Sequence, residues 1–208
     1  MNRPLIRIHH PGPSPCLTAA LRDLRGELAE LGLSGLFYWV TVEQCTRPLT
    51  HRGMGWYLYD RRIIRMPRWN RRAAKASARA SGSKHISLRG VLRHEFGHAL
   101  ADLLDLGDRP EFRSRFGQGE TITDYAAENA DEDFAETFMR YATWRGQLRR
   151  RSPSPALRRK WAYVRRCIIE AAQRRPRLLV ACPSCGSDVA CGLGPRRCGA
   201  CRAPFLVA

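Results

Sequence analysis

The sequence predicts an α+β fold. Residues 1–176 form one domain of a small mixed sheet and several helices, and 177–208 form a small metal-held unit. Three observations carry this expectation. Short β-branched and aromatic runs lie ahead of residue 70, apolar residues recur at helical spacing in later segments, and two Cys-x-x-Cys runs close the chain. With 208 residues and 44% hydrophobic content, the chain can bury one real core plus a satellite.

Arg3 to His10 reads as a short strand, ended by the turn His10-Pro11-Gly12-Pro13. Ser14-Pro15 opens a helix running through Leu31, with Leu17, Leu21, Leu24, Leu28 and Leu31 on one face. Leu36 to Val42 is aromatic and β-branched, hence a strand. Trp56 to Tyr59 and Ile63 to Met66 alternate around Asp60-Arg61 as a hairpin, and Asn70 to Ser83 is a loop or frayed helix. Ile86, Leu88, Val91, Leu92, Phe96, Ala99, Leu100, Leu103 and Leu104 form the stripe of a long core helix. Gly107, Pro110, Gly117 and Gly119 mark a connection. Asn129 then caps a helix in which Phe134, Phe138, Tyr141 and Ala142 recur at helical spacing. Pro155 opens the last helix, Ala156 to Gln173, with Leu157, Trp161, Val164, Ile168 and Ala172 facing in.

The most informative stretch is His94-Glu95-Phe96-Gly97-His98, within the long core helix. Residues four apart lie one above the other, so the two imidazoles can grip one metal ion. Glu95 sits beside them as a general base, and neutral imidazole suits a zinc site that keeps a position open for water. The six histidines are His9, His10, His51, His85, His94 and His98, and none follows His98. A third histidine downstream is therefore excluded, and a carboxylate has to serve. The segment from Thr121 to Phe138 holds the candidates, with Glu132 and Glu136 one turn apart on a shared face. Buried carboxylates need cationic compensation, which zinc and its histidines would supply. Asp131 and Glu128 read as a solvated face.

Tyr125, Asn129, Glu132 and Phe134-Ala135-Glu136-Thr137-Phe138, following the His-Glu-Phe-Gly-His helix, resemble the gluzincin metallopeptidases, and most of all their lethal-factor-type branch. The resemblance covers roughly residues 85–145. It implies a zincin-like metallopeptidase domain, a small mixed sheet plus active-site helices. It also implies Glu132 as third zinc ligand, Glu136 as a carboxylate behind the ligands, and Tyr125 as the group stabilising the oxyanion. In that family a strand before the motif helix pairs with extended substrate, and Ile63 to Met66 is the strand expected to do so. SprT-like proteases are similar in joining a zinc peptidase to a metal-binding tail, but they carry the downstream histidine that is missing here.

Cys182-Pro183-Ser184-Cys185 and Cys198-Gly199-Ala200-Cys201 are two metal-binding knuckles with twelve residues between them. Together they predict a closed four-thiolate structural zinc site, a zinc ribbon whose metal supplies its folding energy. Cys191 is a spare thiol, while Cys16, Cys45 and Cys167 are scattered singly. The start of the chain shows no charged-then-apolar signal segment, so a reducing compartment, the cytoplasm, is expected.

Net charge is +17, unevenly spread. Arg61 to Lys84 holds nine basic residues and no acidic one, and Arg145 to Arg177 holds twelve against Glu170 alone. Asp102 to Glu136 holds eleven of the nineteen acidic residues. The excess has two readings, contact with nucleic-acid phosphates or the Arg-rich composition of a GC-rich genome. The function expected is that of a zinc endopeptidase acting on protein or peptide, with nucleic acid as a further partner and no membrane. The alternative is a non-catalytic nucleic-acid- or partner-binding regulator on the same fold. Retention of Glu95 speaks against it, since a structural zinc has no use for a water-activating carboxylate.

Overall fold

A computed structural model describes residues 14–48, 54–69, 72, 76, 87–174, 178–181, 184–185, 188–191, 194–197 and 201–207. The expected strand at Arg3 to His10, the segment Asn70 to Ser83 apart from two residues, and Ile86, Cys182 and Cys198 lie outside them. The fold is α+β, with a small three-stranded mixed sheet.

Helix α1 spans Pro15–Glu30. Ser14 Oγ accepts from the Leu17 N–H at 3.3 Å, and Pro15 occupies the first turn, where it forfeits no hydrogen bond. Leu17, Leu21, Leu24 and Leu28 are buried as the periodicity predicts. The helix stops at Gly32, whose φ of +76° admits the left-handed turn. There the Leu33 N–H reaches Leu28 O at 2.7 Å and the Gly32 N–H reaches Ala29 O at 3.0 Å, a Schellman closure.

That closure corrects one expectation. Leu36 to Trp39, expected as strand, belongs to a second helix, α2 (Ser34–Trp39). The turn at Gly32 sends Leu33 into the core, and helical spacing then buries Leu36, Phe37 and Val40 together. Phe37 stacks on Phe96 with ring centroids 5.8 Å apart. Packing here overrides the β-preference of the aromatic residues.

Strand β1 (Thr41–Pro48) follows, then β2 (Trp56–Leu58) and β3 (Ile63–Arg68). Strands β2 and β3 form the expected antiparallel hairpin, with Tyr57 opposite Ile64. The sheet order is β1-β3-β2, with β1 parallel to β3. A second correction follows. The strand expected to pair with substrate, Ile63 to Met66, is the central strand, bonded on both sides, so no edge is left for a ligand. The edge strand beside the motif helix is β2.

Helix α3 (Leu88–Leu103) is the buried axis of the molecule. Ser87 caps it, accepting from the Gly90 N–H at 3.0 Å. Arg93, on its outer side, clamps Glu27 of α1 through two contacts of 2.7 Å. The connection after α3 holds a short helix, α4 (Pro110–Arg115). Helix α5 (Ala130–Thr143) begins where Asn129 Oδ1 accepts from the N–H groups of Asp131 and Glu132, at 3.0 and 2.9 Å. Helices α3 and α5 touch at Gly97, where a Cβ would meet the Ala135 Cα at 2.8 Å.

Helix α6 (Pro155–Gln173) buries Leu157, Trp161, Val164 and Ile168 as expected. Ala172 is exposed, and Ala171 faces in instead. Lys160 is also buried on this helix, donating to Asp133 Oδ2 at 2.6 Å, Gln118 O at 2.7 Å and Glu120 O at 2.9 Å. All three donor positions of the ammonium are thereby satisfied, which makes a buried charge tolerable. Cys167 is buried, and burial pushes its thiol up to about 12. No helix among the described residues is long and apolar enough to cross a membrane.

The C-terminal segment holds two antiparallel pairs. Strand β4 (Leu178–Ala181) pairs with β5 (Asp188–Cys191), and β6 (Gly194–Arg197) with β7 (Pro204–Val207). Each Cys-x-x-Cys run falls in the connection between two paired strands. Cys185 and Cys201, the described members, are exposed there.

Candidate metal centre

Two helices and one hairpin supply the site. Helix α3 places His94 and His98 one turn apart, with ring centroids 4.8 Å apart. Helix α5 crosses it closely because Gly97 and Ala135 allow the backbones to approach. Glu132, in the first turn of α5, thereby reaches both imidazoles. Its Oε2 lies 3.0 Å from His94 Nε2 and 3.5 Å from His98 Nε2, and the two Nε2 atoms are 3.1 Å apart. Among the described residues this is the one His/Cys/Asp/Glu group arranged to hold a metal ion.

Glu136, one turn on, is fully buried and holds His94 Nδ1 at 2.9 Å. Thr123 Oγ1 donates to the other Glu136 oxygen at 2.7 Å and accepts from the Ala126 N–H at 3.2 Å. Glu136 is thus oriented from both sides, and it keeps the His94 proton on Nδ1. With a metal ion bound, the Nε2 lone pair would then be the one facing Glu132 and His98.

The electrostatics of the cluster favour positive charge at its centre. Burial lowers the His94 pKa, and the neighbouring carboxylates of Glu132 and Glu136 more than reverse this, carrying it up to about 10. Burial raises the Glu132 carboxyl, yet the two imidazoles outweigh it and hold that pKa well below the usual carboxylate range. Glu132 Oε2 is nonetheless buried with no hydrogen bond of acceptable geometry. Three converging lone-pair donors, one of them orphaned, fit a cation. Ligands ~2.0–2.1 Å from a tetrahedral zinc stand roughly 3.3 Å from one another, and the separations here bracket that spacing.

Glu95 is buried beside the pair. Burial raises its pKa, and the neighbouring imidazoles draw it back only in part. Gly55, just before β2, makes room for it, since a Cβ there would lie 2.8 Å from Glu95 Oε1. Tyr125 opens a short 3₁₀ turn, half-buried, with its ring 5.7 Å from that of His94. Burial and then the Glu132 charge push its hydroxyl pKa up, so it remains a donor. Glu128 and Asp131 are exposed.

Three residues at the site carry no signal in the sequence. Thr123 is one, and no local pattern marks a single hydroxyl in a polar loop. The others come from the hairpin. Tyr59 Oη lies 3.2 Å from His98 Nδ1, and Tyr57 donates to Asp102 Oδ2 at 2.6 Å. The alternation that identifies the hairpin carries no sign of which helix it faces.

Comparison of the chain with known protein families, with curated proteins and with solved structures returns no match.

Proposed function

We propose that the chain is a zinc-dependent metallopeptidase, a zincin-like domain of gluzincin type joined to a zinc ribbon. The observation that carries this is the convergence of His94 Nε2, His98 Nε2 and Glu132 Oε2 beside a buried Glu95. Zinc held there would supply Lewis acidity, polarising a peptide carbonyl and acidifying water. The remaining work falls to the chain. Glu95 takes the proton of the attacking water and returns it to the leaving amine, and its raised pKa brings it nearer the working pH that such a shuttle needs. Tyr125 donates to the oxyanion that develops on the carbonyl. Glu136, held by Thr123, keeps His94 in the tautomer that can bind. Endopeptidase action is the better reading, since no motif for capturing a chain terminus is present in the sequence.

The ribbon zinc would be held by Cys182, Cys185, Cys198 and Cys201, a proposal resting on cysteine spacing. A reducing compartment, the cytoplasm, suits those thiolates. A nucleic-acid partner is supported by α6, whose Arg158, Arg159 and Arg165 are exposed. None of the three forms an ion pair among the described residues.

The deciding experiment maps cut sites in a proteome digest with wild-type protein and Glu95→Gln. Cleavage by wild type alone, with zinc content equal in both, is expected. Equal cleavage by the two proteins would refute the mechanism. Absence of cleavage by either would favour the non-catalytic regulator. Glu132→Ala should lose one zinc while the cysteine-bound metal stays.

A further inference from the structure

The two imidazoles share one task but differ in what stands behind them. His94 Nδ1 meets a buried carboxylate. His98 Nδ1 meets a phenol, Tyr59 Oη, from the turn that follows β2. We propose that Tyr59 is the positioning residue for His98, accepting its Nδ1 proton so that the Nε2 lone pair is presented to the cation. The inference rests on the metal reading above.

The contact is part of a built arrangement. Tyr57 and Tyr59 are two apart around the end of β2, and His98 and Asp102 are four apart on α3. Two residues of strand advance about 6.6 Å and four residues of helix about 6 Å. The spacings match, and two rungs form between the elements: Tyr57 to Asp102 at 2.6 Å and Tyr59 to His98 at 3.2 Å. The two phenol rings pack edge to face with centroids 5.0 Å apart, so the inner rung braces the outer one. Tyr57 is buried, whereas Tyr59 is 46% exposed at the mouth of the site.

The chemistry decides the direction of the Tyr59 bond. A neutral imidazole carries one proton, and the nitrogen facing a metal ion must be the bare one. His98 Nε2 faces His94 Nε2 and Glu132 Oε2. The proton therefore belongs on Nδ1, and Tyr59 accepts it. The Tyr59 hydroxyl proton is then free to point toward the cleft. A carboxylate in this place would add a further negative charge beside Glu95, Glu132 and Glu136. A phenol orients the ring without doing so.

The test uses full-length Tyr59→Phe, which keeps the ring and its packing on Tyr57. Zinc affinity is measured by chelator competition and assigned to this site as the component absent from Glu132→Ala. The expected result is a 10–100-fold loss of affinity, the usual range for removing a partner behind a ligand, with an unchanged melting temperature of the zinc-free protein. In ¹⁵N-histidine spectra of the zinc-loaded protein, the His98 Nδ1–H should be protected from exchange in wild type and unprotected in the variant. Wild-type affinity and protection in Tyr59→Phe would overturn this inference alone. A wild-type chain that binds no zinc at this site would overturn the metal reading together with it.

Discussion

Glu95 and Tyr125 stand at the same centre with different proposed tasks, and substitution separates them. Glu95 lies among the imidazoles without belonging to the converging donor set, so its amide variant should retain metal. Tyr125 sits with its ring 5.7 Å from that of His94 and a hydroxyl that stays protonated. Tyr125→Phe should lower turnover about 10²–10³-fold, the worth of one oxyanion donor, with zinc content and KM little altered. Turnover equal to wild type would return Tyr125 to the role of a packing aromatic. His94, Glu95 and His98 are legible in the sequence because their relation is local, set by one turn of one helix. Glu132, far beyond His98 along the chain, is narrowed by the histidine census to a pair with Glu136, and only the family resemblance chooses between the two. Tyr59 is not legible at all, because nothing in a hairpin's alternation says which imidazole its turn will meet.

Among the elements, the crossing of α3 and α5 decides whether a site exists. Its depth is set at Gly97, where the methyl of an alanine would fall on backbone that cannot rotate away. Gly97→Ala should destabilise the protein by about 1–3 kcal/mol, the range for overpacking a core contact, and should weaken zinc binding as Glu132 moves outward. Thermal melting and chelator competition on the same preparation test both halves. Unchanged values would mean that the helices can part without cost. Helix α5 is tied from its other side by Lys160, which joins Asp133 to the 118–120 backbone. Nothing in the periodicity of α6 marks Lys160 as buried. Tertiary structure makes it a strut. The aromatic run at Leu36 to Trp39 misleads for a related reason, since a residue's β-preference yields to whatever packing the preceding turn imposes.

For the whole molecule, the dominant question is what the charge of +17 is for. Along the chain the acidic residues concentrate between Asp102 and Glu136, and the basic ones in Arg61 to Lys84 and Arg145 to Arg177. The outer face of α6, with Arg158, Arg159 and Arg165 exposed, is one part of that basic surface. If about six phosphates are neutralised, log affinity for DNA should fall against log salt with a slope of about −5. Exchanging Arg158, Arg159 and Arg165 for serine should flatten that slope while leaving peptidase activity intact. A flat titration of wild type at ~0.15 M salt would assign the charge to composition alone.

The sequence by itself determined what depends on neighbours along the chain. These are the helices α1, α3, α5 and α6, the β2–β3 hairpin, the imidazole pair with its glutamate, and the presence of two Cys-x-x-Cys runs. Periodicity and capping are short-range physics, and they can be read from a few residues at a time. Tertiary structure alone decided that β3 lies in the middle of the sheet, that Leu36 packs as helix, and that Gly97 lets Glu132 reach two histidines. It also decided that a tyrosine pair locks onto His98 and Asp102. Each of these depends on which surfaces meet, and strand order and helix approach are settled by the packing of the entire core.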